Sequence, residues 1–110
     1  MTDRGSRPTV TRWPADEQAP DERRLRALLS AENVAPYAWG NPPGDRYVAH
    51  RHPYHKTLYC LSGSIAFELS ELGEMVDLKP GDRLDLPPQV LHAANVGPEG
   101  VVCLEAHRPR

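Results

Sequence analysis

His50-Arg51-His52-Pro53-Tyr54-His55-Lys56, HRHPYHK, sets three histidines within six residues, between a Gly/Pro-rich turn and a run of strand-forming residues. On a strand, residues two apart point to the same face, roughly 6.6 Å apart along the axis. His50 and His52 therefore project together, and two imidazoles at that spacing can converge on one ion at about 2.0–2.1 Å. Taken alone, the same pattern also describes two histidines on a surface or in a core. The run ends in Lys56, where a divalent cation would favour a carboxylate.

Working outward, the chain from Asp45 onward is β in character. Twelve prolines and eight glycines punctuate the whole sequence without clustering. Pro42-Pro43-Gly44, Ser62-Gly63, Leu72-Gly73, Pro80-Gly81-Asp82, Pro87-Pro88 and Gly97-Pro98 separate short segments rich in Val, Leu, Ile and Tyr. The pattern predicts strands near 45–52, 57–62, 64–70, 74–78, 83–86, 89–95 and 100–107, the mark of a β-sandwich or barrel. Leu72-Gly73 makes the turn between the third and fourth. Upstream, residues 1–35 read as a polar arm followed by one short helix, and residues 36–110 as the barrel. Thr9–Trp13 is a candidate strand lying along a sheet edge. Asp21 caps the helix, Leu25, Leu28 and Leu29 form its apolar stripe, and Pro36 stops it. Tyr37 and Trp39 are expected to cover one end of the core.

The spacing extends the histidine run into two motifs. Gly44, five residues, His50, one residue, His52, three residues, position 56, six residues and Gly63 make up the first. Gly81, five residues, Pro87, then His92 and Asn95 make up the second. Together they resemble the two motifs of the cupin superfamily, and the resemblance covers roughly residues 44–95. It implies an all-β fold, a small jelly-roll barrel with a metal inside, and makes His50, His52 and His92 the histidine ligands. The chain departs from the family pattern at three places. Lys56 stands at the usual glutamate ligand, Gln89 at a usual glycine, and Asn95 is one residue closer to His92.

Lys56 governs the chemistry. An ammonium a few ångströms from a divalent ion is strongly repelled in a low-dielectric interior. It must swing away, find a carboxylate or lose its proton, and the first two are favoured. Glu68, Glu71, Asp85 and Glu105 are the candidate counter-charges. His55 has the wrong parity to join the ligands unless the bend at Pro53 re-aims it. Cys60 shares the parity of Lys56 and is a candidate lining residue; Tyr47, Tyr54 and Tyr59 lie near the motif, and His107 reads as a surface residue. Lys56 and Tyr54 are the candidate catalytic side chains.

The bulk properties narrow the function. A chain of 110 residues makes one modest core, and a formal charge of −2 gives no reason to expect nucleic acid or an anionic membrane as a partner. There is no apolar run of membrane-spanning length and no signal-like segment at the N-terminus, so a cytoplasmic location is expected. Cys60 and Cys103 read as buried small hydrophobes. The expected cofactor is one divalent transition metal ion, of iron, zinc, nickel, manganese or copper, since three neutral imidazoles do not choose among them. The expected partners are a small-molecule substrate and a second copy in a homodimer, with Trp13 and the arm near the interface. A metal-dependent dioxygenase acting on a small organic, possibly anionic, substrate is the leading reading. A non-catalytic ligand-binding or sensor module and a metal-dependent isomerase or lyase are the alternatives.

Overall fold

The computed structural model describes residues 7–108. Its strands form one sheet of seven, in the order β1-β6-β4-β7-β2, with β3 also on β7 and β5 also on β4. These are β1 (Thr9–Thr11), β2 (Tyr37–Asn41), β3 (Arg46–His50), β4 (His55–Leu69), β5 (Glu74–Leu78), β6 (Arg83–Leu86) and β7 (His92–Arg108). The all-β jelly roll expected from the motifs is present, built as an open sheet curled around its core.

Two strands differ in length from the expectation, for one physical reason. The segments read as 57–62 and 64–70 are halves of β4, and those read as 89–95 and 100–107 are halves of β7. Ser62-Gly63 and Gly97-Pro98 bend the strands without ending them. β4 and β7 pair antiparallel along their length, and the register shifts around Ser62-Gly63. Gly63 has φ +73°, and a Cβ there would lie 1.9 Å from the Gly100 carbonyl oxygen. Only glycine lets the two backbones approach this closely at a bulge. The first half of β4 pairs with β6 and its second half with β5; β7 likewise takes β3 and then β2.

The core follows from alternation. Leu58, Cys60, Ile65, Phe67 and Leu69 of β4 face Ala94, Val96, Val101 and Cys103 of β7 in one buried cluster, closed by Val76, Leu78, Leu84 and Leu86. The opposite parity of β4 and β7 exposes Tyr59 and Leu104 on the outer face. There the helix α1 (Glu22–Ser30) covers them with Leu25 and Leu29. Asp21 caps α1 as expected, accepting from the Arg24 amide at 2.8 Å. The helix ends at Ser30, before Pro36 can act, and the chain turns at Asn33 with φ 63°.

The N-terminal arm lies along this chain's own edge, where β1 pairs with β6. Asp82 pins it, accepting from the Trp13 amide at 3.0 Å and from Arg12 at 2.9 Å. The Trp13 ring lies against Gly81, where a Cβ would come within 2.6 Å of it. Tyr37 and Trp39, expected as a cover, belong to β2, which extends the sheet beside Val101–Glu105, and Trp39 packs against the core cluster. Among the described residues no helix is long and apolar enough to cross a membrane.

Gly63→Ala is expected to lower stability by more than about 2 kcal/mol, since a left-handed φ and a backbone clash add together. A shift in the urea midpoint at unchanged slope is the measurement; an unshifted midpoint would show that the bulge can reorganise.

Candidate metal centre

The register of β3 on β7 sets His50 directly opposite His92. Their ring centroids are 4.4 Å apart. His52 follows just past the end of β3, its carbonyl accepting from the Gln89 amide at 2.7 Å. Gln89, in place of the expected glycine, holds a left-handed φ of 69° to make that bond. The His52 ring lies 4.7 Å from His50 and 5.1 Å from His92. One donor nitrogen of each ring falls within 4.8 Å of the other two.

Hydrogen bonds fix the ring tautomers. His50 Nδ1 lies 2.7 Å from the Val48 carbonyl, and His92 Nδ1 lies 2.9 Å from the Val90 carbonyl. A carbonyl only accepts, so each Nδ1 carries the proton and each Nε2 presents a bare lone pair. His52 Nδ1 is 3.1 Å from the Tyr54 hydroxyl, which fixes its ring in the same way when Nδ1 donates. His92 Nε2 is buried and, among the described residues, has no hydrogen-bond partner. Such an orphaned lone pair costs free energy unless something fills the space before it. A divalent transition metal would do so, and two nitrogens bound to one ion at 2.1 Å lie at most about 4.2 Å apart, so a small inward rotation of the rings suffices. The residues fit the group.

Electrostatics favour the neutral form of two of these rings, His92 and His52. Burial pushes the His92 imidazolium down to about 4, and Lys56 and the other two histidines add to the effect against the Val90 bond. Burial and the Lys56 charge lower His52 as well.

Lys56 has found a carboxylate. Its Nζ lies 3.3 Å from Glu105 Oε1, with both side chains buried. Of the four candidate counter-charges, Glu68 accepts from Asn95, Glu71 pairs with Arg51, and Asp85 with Arg83 and Thr57. Glu105 also accepts from Tyr37 at 2.7 Å, Trp39 at 2.9 Å and His107 at 2.6 Å. Burial pushes its carboxyl up, but Lys56 and these three donors pull it below the usual glutamate value. Burial raises the Tyr47 and Tyr54 hydroxyls.

These groups line one cavity of about 280 Å³. His50, His52 and His92 stand in its wall with Lys56 and Glu105, and Trp39, Tyr47, Tyr54 and Phe67 supply aromatic surface. Tyr54 stacks between His52 and His107, at 4.8 and 4.0 Å. His107 is exposed as expected, yet its ring closes this column at the rim. His55 faces outward, as its strand parity implies, and meets Asp85 at 3.3 Å. Two candidate neighbours of the site lie elsewhere. Cys60 has the inward parity but sits farther along β4, in the core, its thiol donating to Ser62 and Gly63 carbonyls. Tyr59 lies under the helix. Arg108 bonds Thr57 and Glu32, while Pro109 and Arg110 lie outside the described residues.

Comparison with known proteins identifies the family of the fold. The Cupin_2 family model, for the cupin domain, matches residues 39–107, more than half of the chain. The chain is a cupin. Among curated proteins it is 42% identical over 53 residues to quercetin 2,3-dioxygenase of Bacillus subtilis, a stretch of 47% of this cupin but 15% of that enzyme. Among solved structures, a DUF861 family protein of Thermotoga maritima aligns with a TM-score of 0.64 at 17% identity, over 93% of this cupin and all of that chain. The DMSP lyase DddQ of Ruegeria pomeroyi aligns with a TM-score of 0.62 at 27% identity, over 68% of this cupin and 38% of that chain.

The depressed His92 value has a sign. Unfolded, the imidazole titrates near 6.5; folded, near 4, so below about pH 6.5 the unfolded state takes up the extra proton. Metal-free protein is therefore expected to lose about 2 kcal/mol of stability between pH 7 and pH 5, measured by urea unfolding. His92→Gln should flatten that slope; an equally steep slope in the variant would assign the loss to other groups.

Proposed function

We propose that this cupin is a metal-dependent dioxygenase acting on a small organic anion, with one divalent transition metal held by His50, His52 and His92. The orphaned, buried Nε2 of His92, aimed among two further imidazoles of suitable tautomer, carries the reading. Bound there, the ion supplies open positions for a substrate donor and for dioxygen, and a charge that polarises what it binds. The partial match to quercetin 2,3-dioxygenase supports this chemistry, though the chain spans 15% of that enzyme's length, and the substrate does not transfer with it.

The chain's own residues do the rest. The Val48 and Val90 carbonyls hold two imidazoles with their lone pairs inward, as outer hydrogen bonds to metal-binding histidines do. Tyr54, a candidate catalytic residue by sequence, becomes a positioning residue, since its hydroxyl is engaged by His52 and its ring braces that imidazole. Lys56 keeps its candidate catalytic role as the group that draws and orients an anionic part of the substrate. Charge balance supports the anion. Three neutral imidazoles and a compensated Lys56–Glu105 pair add no net charge, so a divalent ion would keep its full +2 against the +1 a glutamate ligand leaves. Aromatic side chains, Trp39, Tyr47, Tyr54 and Phe67, line the walls around these groups.

One observation keeps a second reading in view. The match to a lyase of known structure, at 27% identity, favours metal-dependent isomerase or lyase chemistry as the alternative. Tag-free protein is expected to carry close to one metal per chain, and His92→Ala to weaken metal binding by about a hundredfold or more. Reconstituted with iron(II), the protein is expected to consume oxygen with one class among thiols, diketones and phenolic acids. Turnover without oxygen uptake would move the assignment to an isomerase or lyase, and binding without turnover to a sensor module. We also propose pairing with a second copy through the open edge of the sheet, where Val48 is 78% exposed and Tyr37 47%. Sedimentation as a monomer alone would overturn that.

A further inference from the structure

β7 bends, so its two arms present different chemistry to the same cavity. His92 stands near its start and Glu105 near its end. The Lys56–Glu105 group therefore forms a second polar pole, separate from the three histidines. Its internal bonding is uneven. Glu105 is saturated, with Oε2 accepting from Tyr37 and His107 and Oε1 from Trp39 beside the Lys56 ammonium. An ammonium has three donors. Among the described residues, Glu105 Oε1 at 3.3 Å is the one charged partner of Lys56, whose side chain is 10% exposed and lines the cavity. Donors are thus left over on a buried cation, whereas the acceptor beside it has none to spare.

The surroundings choose the body of the ligand. Trp39 meets Tyr47 edge-on, with centroids 5.9 Å apart. Tyr54 and Phe67 add two more rings to the wall. At about 280 Å³ the cavity lies at the lower end of ligand-pocket sizes and admits a compound of one or two rings. Flat aromatic surface with a cationic donor at one pole matches an aromatic carboxylate, its ring against these side chains and its anionic group on Lys56.

We infer that this pole is an aromatic-carboxylate site that works without the metal, and that Glu105 sets its affinity by competing with the ligand for the Lys56 ammonium. The inference rests on the reading of this cavity as the substrate pocket and names the class of substrate it selects. It makes Lys56 and Glu105 opposed specificity determinants. A purely structural pair would behave alike when either member is changed; a competing pair would not.

The test uses metal-free full-length protein titrated with benzoate and with neutral benzamide, by calorimetry or ligand-observed NMR. Wild-type protein should bind benzoate at least about tenfold more tightly than benzamide, as a charge-assisted contact requires. Lys56→Met should abolish that preference. Glu105→Gln keeps the shape and leaves the ammonium uncompensated, so it should tighten benzoate several-fold and leave benzamide unchanged. Since Lys56→Met leaves Glu105 without its cation, the double variant Lys56→Met/Glu105→Gln, with both charges removed, provides a second measurement and should show no preference either. Equal binding of benzoate and benzamide by wild type, or a loss of benzoate binding in Glu105→Gln, would overturn the inference. Cobalt titration of the same samples separates the two proposals. Benzoate binding without cobalt binding would remove the metal centre and keep this site; cobalt binding without benzoate selectivity would do the reverse.

Discussion

Everything in the cavity hangs on the pairing of β4 with β7, two strands of 15 and 17 residues that run antiparallel and bend together. Straight strands of that length would make a flat sheet with nowhere to enclose a ligand. The bend needs the backbones to come closer than any side chain permits, and Gly63 against Gly100 supplies that approach. Once bent, each strand serves two partners: β7 carries β3, and so His50, beside its first half, and β2, with Tyr37 and Trp39, beside its second. The histidine cluster and the Lys56–Glu105 cluster are thus products of one deformation, with His52 alone placed by a loop segment.

The two clusters differ in what they cost the fold. Half-buried His50 and His52 cost the fold little, but the buried His92 Nε2 has no partner among the described residues. Burying an ammonium and a carboxylate is far more expensive, and their attraction repays it only when the remaining hydrogen-bonding capacity is met. Glu105 meets that condition through Tyr37, Trp39 and His107. Lys56 does not. A hydrophobic pair of similar volume would serve stability at least as well. The charges are therefore better explained by binding than by folding, as is the orphaned nitrogen across the cavity.

Local chemistry was legible in the sequence and long-range register was not. HRHPYHK with the later His92 named the histidines that meet, and strand parity kept His55 out of the cavity. The Asp21 cap and the leucine stripe of the helix were readable because they are interactions within a few residues. The partner of Lys56 was not. Four carboxylates were available, and only the diagonal relation of Lys56, opposite His107, to Glu105 two residues earlier selects one. A lone glutamate in the otherwise apolar run Val101-Val102-Cys103-Leu104-Glu105-Ala106 was the available signal. The short edge strand Tyr37–Asn41 escaped because Ala38 and Gly40 have low strand propensity and Trp39 alone suggested a cap. Glycine pairs read as turns were bends inside strands, a distinction that depends on what the opposing strand does.

Placing lysine where the family usually has a glutamate ligand does more than delete a ligand. A coordinating carboxylate would lower the charge of a bound divalent ion and occupy one of its positions. Here the carboxylate of the cavity is Glu105, on the neighbouring strand and engaged by four donors, so it neutralises the lysine and leaves the ion's charge alone. On the proposed reading, the negative charge that balances a bound ion would then come from outside the protein. A neutral ligand would leave a divalent charge uncompensated in a low-dielectric cavity, whereas an anion relieves it and also meets the idle donors of Lys56. On the proposed reading one lysine would thus link what the ion lacks to what the substrate brings, and a preference for anions would follow from electroneutrality before any detail of shape is considered.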